Sequence, residues 1–120
     1  MHGRNILIVE DETDLCMVLT TIFQRAGYAT SYAPTAREAI TVLLDHPIHL
    51  VLLDLNLPDR DGMSLLAEIR LLDPYLPVVI LTADPSMDKV TEALYKGVSD
   101  YVLKPFSPDY ILNRVSELFA

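Results

Sequence analysis

The run Leu50-Val51-Leu52-Leu53 is unbroken aliphatic, ends on the carboxylate of Asp54, and is followed within a few residues by Pro58 and Asp61-Gly62. A strand buried on both faces of a parallel sheet reads as such a run, and ligands bind beyond the carboxyl ends of such strands. Asp54 is therefore expected at the mouth of a cleft. An aliphatic wall stands behind it, and the turn leads the chain away and leaves the carboxylate reachable.

Two more runs share this grammar. Asn5-Ile6-Leu7-Ile8-Val9 ends on Glu10-Asp11-Glu12, and Pro77-Val78-Val79-Ile80-Leu81 ends on Thr82-Ala83-Asp84. A weaker, edge-like strand is predicted over residues 29–33. A last short one, Asp100-Tyr101-Val102-Leu103, leads into Lys104-Pro105-Phe106.

Apolar residues at helical spacing fill the intervals. Thr13 or Asp14 can cap a first helix with Leu15, Val18, Leu19, Ile22 and Phe23 inward, ending at Gly27. Thr35 caps a second through about Leu44, with Ala36, Ala39, Ile40, Leu43 and Leu44 on one face. Met63 to Leu72 forms a third, with Leu65, Leu66 and Ile69 inward. Ser86 caps a fourth over roughly Met87 to Lys96, whose apolar face of Val90, Ala93 and Leu94 is the thinnest. Ser107-Pro108 opens a fifth through Phe119, with Ile111, Leu112, Val115 and Leu118 apolar.

Five strands alternating with five helices predict a doubly wound α/β sandwich of the flavodoxin-like kind. Its parallel sheet is expected in the order 2-1-3-4-5, with helices on both faces. Residues 1–120 are read as one domain, long enough to bury about two-thirds of the surface the unfolded chain exposes. The net charge of −8 disfavours direct contact with a phosphate backbone. The single cysteine, Cys16, fits a small core residue in a reducing compartment. No run of about 18 apolar residues occurs, and the chain is read as cytoplasmic, without membrane contact.

On this topology Glu10, Asp11, Asp54, Thr82 and Lys104 converge at one sheet edge. Clustered carboxylates stay ionised together only with a cation among them, and a hard, oxygen-seeking ion such as Mg²⁺ suits them. The Lys104 amine and Thr82 hydroxyl are donors suited to a phosphoryl group. Asp54, ending the most buried strand, is the expected nucleophile.

These residues resemble the receiver domains of bacterial two-component response regulators, the family of the chemotaxis protein CheY. The resemblance is carried by Ile-Leu-Ile-Val-Glu-Asp-Glu at 6–12, Leu-Leu-Asp-Leu-Asn-Leu-Pro at 52–58, Asp61-Gly62, Leu-Thr-Ala at 81–83 and Lys104-Pro105-Phe106. It implies that Asp54 accepts a phosphoryl group from a sensor histidine kinase or phosphotransfer protein. It further implies Mg²⁺ on Asp11, Asp54 and the backbone carbonyl of Asn56, with Glu10 acting through water. Thr82 and Lys104 would hold the phosphoryl oxygens, and the Lys104-Pro105 bond would be cis. Such a domain is not a conventional enzyme, but is expected to catalyse its own phosphorylation and dephosphorylation.

The resemblance also implies a switch in which the Thr82 hydroxyl moves inward and the Tyr101 ring fills the space it leaves. This would alter the face formed by the fourth helix, fifth strand and fifth helix toward an output partner or domain that the residues do not identify. Asn56 and Asp84, two residues after Asp54 and Thr82, are expected to set the phosphoryl lifetime. Lys89, Asp100 and Arg114 match the charge set that pairs receivers resembling OmpR, whereas Tyr95 and Tyr110 stand where acids are expected. Dimers through another face and a monomer both stay open.

The same residues also have plainer structural roles open to them. Asp54 could cap its own turn, Thr82 could bond its own backbone, Glu12 could be an acid favoured by a helix dipole, and Tyr101 could be edge packing. His2, His46 and His49 have no metal-ligand spacing and are read as surface or strand-flanking. Tyr28, Tyr32, Tyr75 and Tyr110 are read as core edge or partner surface. Two alternative functions are a phosphate-independent interaction module and a small Mg²⁺-dependent phosphohydrolase of the haloacid dehalogenase type. The second class wants an acid where Asn56 stands, and a cap for which the chain has no room.

Overall fold

A computed structural model describes residues 3–120; the position expected of His2 lies outside the described residues. The elements run in strict alternation. They are β1 (Asn5–Val9), α1 (Thr13–Arg25), β2 (Ala29–Ala33), α2 (Ala36–Asp45), β3 (Leu50–Asp54), α3 (Gly62–Leu72), β4 (Val78–Thr82), α4 (Met87–Tyr95), β5 (Asp100–Leu103) and α5 (Pro108–Phe119). The five strands form one parallel sheet in the order β2-β1-β3-β4-β5. The doubly wound architecture predicted from the pattern is the one observed.

Strand alternation divides the core. Ile6, Ile8, Leu50, Leu52, Val79, Leu81 and Val102 face α1 and α5 through Cys16, Leu19, Phe23, Ile111 and Val115. Leu7, Val9, Val51, Leu53, Val78 and Ile80 face α2, α3 and α4 through Ala36, Ala39, Met63, Leu65, Leu66, Ile69 and Ala93. Every residue of β3 and β4 is buried, because helices cover the central strands on both sides. Cys16 is a free, buried thiol, as expected of a small core residue.

Most helix starts follow the side-chain caps. Thr35, Ser86 and Ser107 each accept a hydrogen bond from the backbone N–H of the third residue of their helix, Glu38, Lys89 and Tyr110. Asp61 caps α3 one residue earlier, accepting from the N–H of its second residue, Met63. The start of α1 differs from expectation. Its N-cap position is Glu12, with no side-chain cap, and Thr13 is already helical. The Glu12 N–H instead donates to Glu10 Oε2 at 3.3 Å, so the preceding acid satisfies this turn from outside the helix.

Three aliphatic residues expected inward are exposed: Val18, Leu44 and Leu94. Each lies on the flank of its helix, and the buried stripes narrow to Cys16, Leu19 and Phe23 on α1, Ala36 and Ala39 on α2, and Ala93 on α4. His49 flanks a strand as expected and accepts from the Asn5 N–H through Nδ1 at 2.9 Å, and His46 is exposed. Tyr28 packs on Phe23 and Phe119, while Tyr32, Tyr75 and Tyr110 are exposed. Among the described residues no helix is long and apolar enough to cross a membrane.

Candidate functional site: a carboxylate cluster at the sheet edge

Parallel strands bring their carboxyl ends to one side, and the register aligns Val9 with Leu53, Asp54 with Leu81, and Thr82 with Leu103. Glu10, Asp11, Asp54, Thr82 and Lys104 therefore meet at this edge. Glu10, Asp54 and Thr82 are 1%, 5% and 2% exposed, whereas Asp11 faces solvent. Carboxylate oxygens of Glu10, Asp11 and Asp54 all lie within 4.8 Å of one another.

The Lys104 ammonium bridges two of these acids, at 3.2 Å from Glu10 Oε1 and 3.5 Å from Asp54 Oδ2. Its backbone is fixed as well: the Lys104 N–H donates to the Thr82 carbonyl at 2.8 Å, and the Lys104-Pro105 bond is cis. One cation does not offset three clustered carboxylates. Burial pushes the Glu10 carboxyl up to about 7, the hydrogen bond and charge of Asp54 add to the rise, and Lys104 opposes it. Burial and the neighbouring Asp54 thus work against ionisation of Glu10.

Asp54 also caps its own turn, since its Oδ1 accepts from the Asn56 N–H at 3.1 Å. The turn-capping contact expected of Asp54 is therefore present, made through Oδ1, while Oδ2 faces Lys104. The loop is closed at its base by Gly62, whose N–H donates to the Leu55 carbonyl at 3.0 Å. A Cβ at Gly62 would stand 2.6 Å from Leu55 Cα and 2.8 Å from the Asp54 carbonyl oxygen, so only glycine permits this approach.

Across the cleft, Thr82 Oγ1 accepts from the Asp84 N–H at 3.2 Å. The Tyr101 hydroxyl donates to the Asp84 carbonyl at 2.8 Å, and its ring packs on the core of the α3 and α4 face. Burial and the Asp84 carboxylate raise the Tyr101 phenol, while the Thr82 hydroxyl beside it works the other way. The Asp84 carboxylate turns to the Ser86 N–H, which donates at 2.8 Å, and is held below the usual range by that bond. Asn56, Asp61, Thr82, Asp84 and Lys89 line one open cavity of about 350 Å³ beside the acids.

Residues beyond the expected set complete the surroundings. Asp59 reaches from the loop after β3 to the start of α2, accepting from the Ala36 and Arg37 N–H groups. Arg70 on α3 donates to the carbonyls of Gly97, Asp73 and Leu76, tying the end of α4 to α3. Asp100 and Arg114, two of the charges matched to a dimer-forming set, pair with each other inside the chain.

Known proteins share the sequence pattern and the fold of this chain. A profile described as the response regulator receiver domain matches residues 6–116. The transcriptional regulatory protein ZraR of Escherichia coli K12 is 35% identical over 116 residues, covering 97% of this chain and 26% of that protein. The transcriptional regulatory protein PhoP of Escherichia coli O157:H7 is 38% identical over 113 residues, covering 94% of this chain and 51% of that protein. The chain thus spans about a quarter to a half of the length of these relatives. Among solved structures, a CheY-like receiver domain protein from Methanospirillum hungatei superposes with a TM-score of 0.91 at 30% identity, covering 95% of this chain and 91% of that one. The receiver domain of Francisella response regulator 1452 gives 0.91 at 31% identity, covering 98% and 97%. The chain belongs to the response regulator receiver domains of two-component systems.

Proposed function

We propose that this chain is a phosphoacceptor that takes a phosphoryl group on Asp54 and passes its state to a partner. The observation that carries this reading is the convergence of three carboxylates, a bridging lysine and a strand-end hydroxyl at one edge. The receiver unit is read as spanning residues 1–120.

In the proposed reaction a carboxylate oxygen of Asp54 attacks the phosphorus of a phosphohistidine on a sensor histidine kinase or phosphotransfer protein. The O–P bond forms as the P–N bond breaks, and the electron pair leaves on the imidazole nitrogen. Lys104, already against both acids, is placed to follow the new dianion, and Thr82 Oγ to donate to it. The donor set is all hard oxygen and fits Mg²⁺: Asp11, Asp54 and the Asn56 carbonyl would hold the ion, with Glu10 acting through water. When bound, Mg²⁺ would supply positive charge against the acids and the phosphoryl oxygens.

Asn56 and Asp84 line the cavity that opens on the site, which supports a role for both in setting the phosphoryl lifetime. The contacts of Tyr101 with Asp84 and Thr82 support the switch reading, in which the two side chains move together. An apolar groove of Leu15, Val18, Ile22 and Phe106 opens beside Lys104 and suits the helix of a phosphodonor. The face of α4, β5 and α5 offers exposed Tyr95, Leu103 and Tyr110 to an output partner or a second copy. The net charge of −8 argues against this domain touching nucleic acid itself. A phosphohistidine donor and a buried free thiol both suit the cytoplasm.

Incubation with Mg²⁺ and acetyl phosphate, followed by intact mass, tests the reading. The expected result is a gain of one phosphoryl group that needs Mg²⁺ and is absent in Asp54→Asn. No gain in a folded protein that also fails to bind beryllofluoride would overturn it in favour of a phosphate-independent interaction module.

A further inference from the structure

The geometry points to Asp59 as a positioning residue that fixes the Asn56 carbonyl for the metal by anchoring the loop after β3 to the first turn of α2. This rests on the metal-dependent phosphoacceptor reading above and adds a residue to it. The Asp59 carboxylate accepts from two successive backbone donors, Ala36 N–H to Oδ1 at 2.9 Å and Arg37 N–H to Oδ2 at 3.0 Å. The next donor, Glu38 N–H, goes to Thr35 Oγ1 at 3.0 Å, and Ala39 N–H closes the first helical bond to the Thr35 carbonyl. The orphan donors of this helix start are thereby satisfied, two of them by a side chain 23 and 22 residues away in sequence. A carboxylate with both oxygens on backbone donors at a helix N-terminus is fixed in position and orientation, and the dipole favours its charge.

The loop it belongs to is short and closed on itself. Asn56 pairs with Asp61 in an antiparallel bridge, Asn56 N–H donates to Asp54 Oδ1, and Gly62 closes the base on Leu55. Arg60 reaches back to Ser64 and Glu68 on α3, the helix that the loop leads into. Asp59 alone of these residues reaches across to α2, which is seated on the sheet through the fully buried Ala36 and Ala39. Asn56 belongs to this same short closed loop, so holding the tip against α2 also restrains the backbone at Asn56. Without Asp59 the loop keeps its base but loses its far support. The affinity of the metal should fall although none of its ligands has changed.

The test is Mn²⁺ binding followed by electron paramagnetic resonance, with Mg²⁺ in competition, on wild-type protein, Asp59→Ala, Asp59→Asn and Thr35→Ala. Thr35→Ala removes the neighbouring cap of the same helix and loosens α2 without touching the loop, so it reports what helix destabilisation alone does. The expected result is a metal Kd raised roughly tenfold in Asp59→Ala, the lower end of what losing an outer partner costs. Asp59→Asn, which keeps one accepting oxygen, should give a smaller rise, and Thr35→Ala should stay at the wild-type value. If Asp59→Ala does not fold by circular dichroism, the Asn variant decides between the same two outcomes. A wild-type Kd in the Asp59 variants, or an equal rise in Thr35→Ala, overturns the positioning role while leaving the metal site standing. Wild-type protein that binds neither ion removes the underlying reading and the inference with it.

Discussion

The two halves of the sheet edge are built differently. On the side of β1 and β3 the acids sit on buried strands, and the following helix, α3, buries Gly62, Met63, Leu65, Leu66 and Ile69. On the side of β4 and β5 the Thr82 hydroxyl and Tyr101 contact Asp84, in the segment leading into α4, which buries Ala93 alone. The first half is held by packing in every turn. In the second, α4 rests on point contacts although β4 itself is buried: Ser86 at its start, the Tyr101 hydroxyl on the Asp84 carbonyl, and Arg70 on the Gly97 carbonyl at its end. Elements with few buried apolar contacts are those that open and move at low cost. In the function proposed above, the packed half would hold the incoming charge and the yielding half would report its arrival.

This contrast should show first in stability. Leu66→Ala on α3 removes a fully buried side chain between helix and sheet, and should cost about 2–5 kcal/mol in urea unfolding. A loss under about 1 kcal/mol would mean that α3 is not the packed half.

Gly62→Ala should follow. Its Cβ would meet backbone atoms of Leu55 and Asp54, which cannot turn aside as a side chain can, at a cost of roughly 1–3 kcal/mol. It should also slow phosphorylation by acetyl phosphate, because the atoms displaced carry Asp54, the proposed acceptor. Unchanged stability and rate would show that the loop base is softer than its contacts imply.

The acid half should also respond to pH. Glu10 has a higher pKa folded than unfolded, so its protonated form favours the fold. This contribution is fully present below about 4.5 and is lost as pH rises through about 7. In metal-free protein the melting temperature should fall across that window, and Glu10→Gln should flatten the fall. Mg²⁺ favours the carboxylate and should stabilise more at pH 8 than at pH 6. A Glu10→Gln profile parallel to wild type would contradict this.

The smallest effect is expected on the other half. Leu94→Ala on α4, at a position 66% exposed, should change stability by no more than about 0.5 kcal/mol. A larger loss would mean that α4 is anchored through a flank the packing does not reveal.

Much of this was legible in the chain. The three apolar runs ending in Glu10-Asp11, Asp54 and Thr82 fixed strand, direction and edge at once, because burial on two faces leaves no other place for polar residues. The thin face of α4 was legible for the same reason, although Leu94 proved to lie outside even that narrow stripe. What escaped were contacts to backbone from far away. Asp59 reads in sequence as one more turn-forming acid, and Arg70 as one more helix-surface cation. Their roles depend on carbonyl and N–H groups of segments 23 and 27 residues distant, which no spacing rule encodes. The uncapped start of α1 escaped because Glu12 N–H finds its acceptor in Glu10, outside the helix pattern.

The most direct test of a site with one fixed and one yielding half is amide hydrogen exchange with and without Mg²⁺ and beryllofluoride, with occupancy of Asp54 confirmed by fluorine NMR. The account predicts altered protection in residues 83–96 and around Tyr101, with α3 amides unchanged. Full occupancy with no change in α4, or with equal change in α3 and α4, would contradict it.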